Sequence, residues 1–434
     1  MGMLLDAGYL LALSVAWPWM VWRRVVRGKR LGNWSEKFLG RLPRSNPLRR
    51  SIWIHAVSVG EVLQIQPLLD KLSERYPHRD FLITTTTTTG YDVAKQKYGE
   101  RHRVCYFPFD FTWSVIAALD RVAPEAILLV ELELWPNFIA QAGQRHIPVS
   151  VINGRMTEKS YRSYSRVRPL VRRVLSQLSR IVVQNDTYAA RFRDLGASDK
   201  QLKIAGSIKF DGVRTDRQHP RVAEIRTGFG LKADELIWIV GSTQDPEEAL
   251  ALDTYRALRE QFPQLRLMIV PRHKERFEEV AQLITERGFD LLRRSQSGTP
   301  STGTPVCLLD TLGELSFAWG LADIAFVGGS LTPRGGQNMI EPAGYGACVL
   351  FGPNTWNFKD VVSLLLEGEG GIVVPSAEEL LPLMQTLLKN PERRHAYGAR
   401  GQRLVQAQQG ATIRTLEAVS PFMTREPARG RKAA

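Results

Sequence analysis

SIWIHAVSVGEV, residues 51–62, decides how the chain folds. Its first seven residues are a near-continuous apolar run. Ser-Val-Gly then turns the chain, and Glu61 opens what reads as a helix to about Tyr76. A strand with no polar alternation is covered on both faces, which belongs to a parallel sheet flanked by helices. The same unit recurs along the chain. FLITTTTTT (81–89) ends at Gly90 before another helix, and AILLVELELW (126–135), IPVSVINGR (147–155) and RIVVQN (180–185) follow. Residues 211–235 are polar and carry no strand signal. The alternation then restarts with LIWIVGST (236–243), LRLMIVPRH (265–273), VCLLD (306–310), IAFVGGS (324–330) and ACVLFGP (347–353). This predicts two doubly wound α/β domains, 25–215 and 236–423, with a linker at 216–235 and helices from about Ala377 to Met423. Ligands of such sheets bind beyond the carboxyl ends of the strands. Tandem domains of this kind are expected to face a central cleft.

The chain has 434 residues, 44% hydrophobic and 24% charged, and a net charge of +14. Residues 21–50 hold ten Lys/Arg against one acid, Glu36, and so nine of those net charges. They directly follow AGYLLALSVAWPWMVW (7–22), an uncharged Trp-rich run. Positive charge after the apolar core, not before it, argues against a cleaved signal peptide. The expectation is an uncleaved anchor at 1–24, spanning or interfacial, with the rest in the cytoplasm. A buried core helix is the plain alternative. A second basic cluster, Arg162, Arg166, Arg168, Arg172, Arg173 and Arg180, has no acid among residues 161–180. Such patches seek polyanions: phospholipid headgroups, phosphorylated lipids or nucleic acid. They lack the interleaved aromatics of a base-stacking platform, so no nucleic-acid partner is expected. Cys105, Cys307 and Cys348 lie far apart, and the seven histidines show no ligand spacing. Neither disulfides nor a protein-held metal is expected. The tail, 424–434, reads as disordered.

The residues after each strand carry the chemistry. Glu61, in the first turn of its helix, is either an ordinary acid at a helix N-terminus or a general base kept ionised by the dipole. In VELELWPN, alternation places Glu131 and Glu133 on one side of a strand; a structural salt bridge is the plain alternative. Lys209, in GSIKFD, could pair with those glutamates or with an anionic substrate. Arg272, at the end of a strand in VPRH, suits a phosphate, as does the loop with Gly335 and Gly336. Asn338 reads as a helix N-cap, with Glu341 one turn in and able to accept from ribose hydroxyls. Gly313 and Glu314 stand at another strand-to-helix turn, where a simple helix cap would also fit.

SVGE, ELELWPN, VINGR, GSIKFD, PRHKERF, GELSFAWGLADIAFVGGS, PRGGQNMIEP and FGPNTWNFKD occur in that order. The series resembles the 3-deoxy-D-manno-octulosonic acid (Kdo) transferases, glycosyltransferases of the GT-B fold, from the anchor to about residue 410. The resemblance implies transfer of Kdo from CMP-Kdo to a sugar hydroxyl of a lipid A precursor, in lipopolysaccharide core synthesis at the cytoplasmic face of the inner membrane. It implies Glu61 as base and Glu131 and Lys209 as transition-state stabilisers. CMP contacts fall on Pro271 and Arg272, on Leu312, Gly313 and Glu314, and on Asn338, Met339, Ile340 and Glu341. No cofactor or metal is expected, and inversion at the anomeric carbon follows if one base suffices. The family commonly has His where this chain has Gln244 and Gln337, and glycine where it has Pro246. A GT-B transferase using another nucleotide sugar on a lipid acceptor is the alternative.

Overall fold

The computed structural model describes residues 2, 5–11, 14, 32–296 and 304–423. The chain divides into two compact units, Met1–Gly212 with Gln409–Ala434, and Val213–Gln408. Each is built on one seven-stranded sheet whose strand pairs are all parallel. The first holds β1 (Ser51–His55), β2 (Asp80–Thr85), β3 (Arg103–Tyr106), β4 (Ala126–Val130), β5 (Val149–Gly154), β6 (Arg180–Val183) and β7 (Leu202–Ile204), in the order β3-β2-β1-β4-β5-β6-β7. The second holds β8 (Leu236–Thr243), β9 (Leu265–Pro271), β10 (Leu291–Arg293), β11 (Val306–Leu308), β12 (Ile324–Val327), β13 (Cys348–Phe351) and β14 (Gly371–Val373), in the order β10-β11-β9-β8-β12-β13-β14. The doubly wound expectation holds for both. The order reverses between β1 and β4, and between β8 and β12. Those are the switch points where such sheets leave a crevice.

The apolar runs are strands because both faces are covered. Trp53 of β1 packs into one cluster with Leu82, Ile127 and Phe138, while Ile52 and Ile54 pack on the opposite face with Leu68, Phe81 and Leu128. Local breaks are finer than the sequence pattern. The helix expected from Glu61 to Tyr76 is two helices, Val59–Gln64 and Gln66–Arg75, meeting at Ile65. Pro67 has no N–H to continue the first ladder and fits the first turn of the second. The strand expected to run up to Gly90 ends at Thr85. Thr87 caps the next helix, Thr88–Tyr98, by accepting from Gly90 N at 3.1 Å.

Two boundaries move. The stretch read as a linker, 216–235, lies in the second unit and contains the helix Pro220–Gly228. The last helix, Ala411–Val419, leaves the second unit for the first. Ala411, Leu416, Val419 and Met423 join the cluster around Ile52 and Ile54, and Asp211 accepts from Gly410 N at 2.6 Å and from Thr412 N. The sequence reading missed this because helical periodicity continues across residue 408. Most of the expected anchor and its basic flank, and the tail 424–434, lie outside the described residues. Within 5–11, Asp6 accepts from Thr112 N and Asn137 Nδ2 (2.9 and 3.1 Å), and Tyr9 donates to Asp110 (3.1 Å). Among the described residues no helix is long and apolar enough to cross a membrane. All three cysteines are free and buried, and burial pushes each thiol up to about 12.

Candidate active site

At the β1/β4 switch point the first unit gathers three carboxylates. Ser58 caps the helix Val59–Gln64, accepting from Glu61 N (3.3 Å) and donating from its hydroxyl to Glu61 Oε1 (2.8 Å). Val57 N donates to Oε2 (2.9 Å). This is the capping-box arrangement of S-x-x-E. Glu61 therefore does fasten its own helix, yet it remains only half-buried. Burial pushes its carboxyl above the ordinary range, the charge of Glu131 adds to that, and the Val57 amide and Ser58 draw it back. Burial outweighs the hydrogen bonds from Val57 and Ser58, so the carboxyl holds a proton more tightly than an ordinary glutamate.

Glu131 and Glu133 are brought together, but not by strand alternation. β4 stops at Val130, and Glu131 sits in a turn at φ +62°, a left-handed conformation rare for a side-chain-bearing residue. Gln64 Nε2 donates to Glu131 Oε1 at 3.1 Å, and Lys209 Nζ lies 3.7 Å from the same oxygen. Gln64 is itself held by Asn153, whose Nδ2 donates to Gln64 Oε1 (3.2 Å) and whose Oδ1 accepts from Ile208 N (3.2 Å), next to Lys209. Asn153 also stands at positive φ, 51°. Sequence reasoning assigned neither Gln64 nor Asn153; the Asn-Gly at the end of β5 was the available signal. Glu133 accepts from Trp135 Nε1 at 2.9 Å. Burial, then the charge of Glu61 and that of Glu131, push it up to about 7 against that hydrogen bond. The helix Pro136–Gln144 fixes the turn from behind. Its first amides, Asn137 N and Phe138 N, donate to Asp110 at 3.0 and 2.8 Å.

In the second unit, Pro271 ends β9, and Arg272 follows it exposed, its N–H bonded to Thr243 O at 3.1 Å. Asn338 Oδ1 accepts from Ile340 N (3.1 Å) and its Nδ2 donates to Glu341 Oε1 (3.0 Å), but the N-cap of the helix is Met339, so Asn338 braces the turn leading into the helix and is not the cap the sequence suggested. Burial raises Glu341, while Asn338 and then the charges of Arg272 and Arg214 lower it. The helix here is five residues, Ile340–Gly344, too short for much of a dipole. Arg272 and Arg214 are cations whose charge reaches this turn. Gly335 and Gly336 adopt φ +92° and +75°, and a Cβ on Gly335 would strike Trp356 and Asn357. Leu312, Gly313 and Glu314 follow β11, the neighbour of β9. Leu312 is 72% exposed, but the Glu314 carboxylate is engaged by Arg294 (3.1 and 3.0 Å) and Thr311. This turn offers a ligand its main chain and Leu312 rather than that carboxylate.

The largest omission of the sequence reading is Glu247. It is 2% exposed and accepts from Gln244 N, Gly329 N, Ser330 N and Leu331 N at 2.7–3.1 Å. The amides after β12 are thus taken by the protein's own carboxylate. Gln244 and Gln337, distant in sequence, both bring their side-chain amides to where a Cβ on Gly329 would stand, at 3.6 and 3.4 Å.

Residues 30–212 match the family model described as 3-Deoxy-D-manno-octulosonic-acid transferase (kdotransferase). The chain is 36% identical over 382 residues to a 3-deoxy-D-manno-octulosonic acid transferase of Haemophilus influenzae, covering 88% of this chain and 89% of the relative. It is 34% identical to one of Bordetella pertussis, covering 96% and 99%. In fold it is similar to a UDP-GlcNAc 2-epimerase of Neisseria meningitidis (TM-score 0.58, 11% identity, covering 86% of this chain and all of the other). With two doubly wound sheets in the GT-B pattern and relatives of that identity over nearly its whole length, the chain belongs to the Kdo transferase family of glycosyltransferases.

Proposed function

We propose that this enzyme moves Kdo from CMP-Kdo to a hydroxyl of a lipid A precursor, with inversion, at the cytoplasmic face of the inner membrane. The observation that carries the reading is the constellation at the β1/β4 switch point. Glu61 is a half-buried carboxylate whose raised proton affinity suits a general base. Lys209 and Glu131 form an adjacent charged pair, suited to steadying charge that develops as the sugar leaves CMP. Arg272 and the 338–341 turn are the proposed hold on the CMP phosphate and ribose. The family's relatives support Kdo as the sugar. The basic run at 21–50 supports a phosphorylated lipid acceptor and an anionic membrane surface.

The test is mass spectrometry of a lipid A precursor incubated with CMP-Kdo and the wild type or Glu61→Gln. The wild type adds Kdo. The variant adds it about 10²–10⁴-fold more slowly while CMP binding is kept. A fully active Glu61→Gln would remove the base assignment, and no product from the wild type would remove the donor or the acceptor. A chelator is expected to leave the rate unchanged, since the reading gives no step to a metal.

A further inference from the structure

His55, the last residue of β1, is fully buried, with its ring stacked on Phe107 at 3.7 Å. Nδ1 lies 3.1 Å from Thr84 O and 3.2 Å from Thr84 Oγ1. A carbonyl oxygen only accepts, so Nδ1 carries a hydrogen. Burial pushes the ring down to about 3, so it is neutral and has one N–H in all. Nε2 is therefore a bare acceptor, and it has no hydrogen-bond partner. Glu133 Oε2 stands 3.9 Å from it, just beyond hydrogen-bond range. A neutral ring makes no ion pair with that carboxylate. An ionised Glu133 would turn oxygen lone pairs toward a nitrogen lone pair; a protonated Glu133 would offer the missing donor.

The two neighbouring acids act in the same direction. Glu61, from the helix Val59–Gln64, and Glu131, from the turn after β4, both disfavour its ionisation. Trp135 Nε1 donates to Oε2, which still leaves a hydroxyl on that oxygen free to donate. Tyr164, from the helix Glu158–Ser165, holds its hydroxyl proton more tightly through burial first and then through the charge of Glu133. Lys209 lies against Glu131 instead.

We propose that Glu133 is a positioning residue of the transfer site, a protonated carboxylic acid that closes on His55 Nε2 to donate it a hydrogen bond. The cluster then carries two negative charges and not three. Glu61 stays ionised to accept the acceptor's proton, and a sugar acid meets less repulsion. The catalytic half of this statement rests on the Kdo-transfer reading; the protonation of Glu133 does not.

Two measurements on the full-length enzyme test it. The first is NMR of ¹⁵N-histidine-labelled protein, with His55 assigned by loss of its signals in His55→Phe. Nε2 of the wild type is expected bare and hydrogen-bonded, and its shift is expected to move between about pH 6 and about pH 8 while the ring stays neutral. The second is the pH profile of kcat/KM. Wild type is expected to lose about tenfold from about pH 7 to about pH 9, as a third charge enters the cluster. Glu133→Gln, whose amide donates to Nε2 but cannot ionise, is expected to lose that decline. A protonated Nε2, a His55 shift indifferent to pH, or an unchanged alkaline limb in Glu133→Gln would each overturn the proposal. Should the glutamine variant not fold, the wild-type NMR titration decides alone. No transfer by an enzyme whose His55 responds to pH would sink the Kdo reading and leave the protonated Glu133 standing.

Discussion

Glu131 is held in a left-handed backbone conformation by what its side chain touches, Gln64 and Lys209. Such strain persists where the surroundings over-determine it. Glu131→Gly and Glu131→Ala are both expected to lose transfer by ~10²-fold or more. The glycine variant is expected to be the more stable by about 1 kcal/mol in urea unfolding, because it alone relieves the backbone. Equal stabilities would mean the turn is unstrained. Lys209→Met is expected to lower kcat by ~10²-fold and leave CMP affinity unchanged, since the proposed CMP residues lie in the other unit. At this scale the sequence was partly readable. Ser58-x-x-Glu61 announces a capped helix, and Glu61 caps it. The turn at Glu131 could not be seen, because an apolar-acid alternation looks the same whether the strand stops at Val130 or runs on. His55 passed as a strand residue because nothing nearby in the chain shows which of its nitrogens lacks a partner.

The connections after the strands depend on buried anions that the protein supplies itself. Glu247 takes four backbone N–H groups, three of them from the Gly329–Leu331 turn. Glu247→Ala would leave four buried donors unpaired and is expected to cost roughly 3 kcal/mol or more, read as a lowered denaturant midpoint. Glu247→Gln keeps one accepting oxygen and is expected to cost less. Equal losses would place the effect in packing rather than in the hydrogen bonds. The strands themselves were legible wherever the apolar run was continuous, because burial on both faces leaves no other composition. The carboxylate beneath a glycine turn was not. GSTQDPEE reads as an acidic helix start, and only the fold brings Gly329 to Glu247.

The first unit is discontinuous in sequence, with the whole second unit inserted between Gly212 and Gln409. Ending the chain at 408 removes the helix Ala411–Val419 and the burial of four apolar side chains. At ~1–2 kcal/mol each, the loss is comparable to the ~5–15 kcal/mol that holds a whole domain. The truncated protein is expected to lose the first unit's unfolding transition and keep the second's. Two surviving transitions in calorimetry would show the last helix to be dispensable. Helical periodicity revealed this segment but not its address, which depends on contacts some two hundred residues back. The arrangement bears on synthesis. A ribosome emits most of the first unit before the second, yet the first cannot close until the residues after 408 have been made. Until then its apolar face stays open to chaperones, while the later-made unit is already free to fold. A nascent chain stalled with residue 408 as its last should therefore carry a finished second unit and an unfinished first.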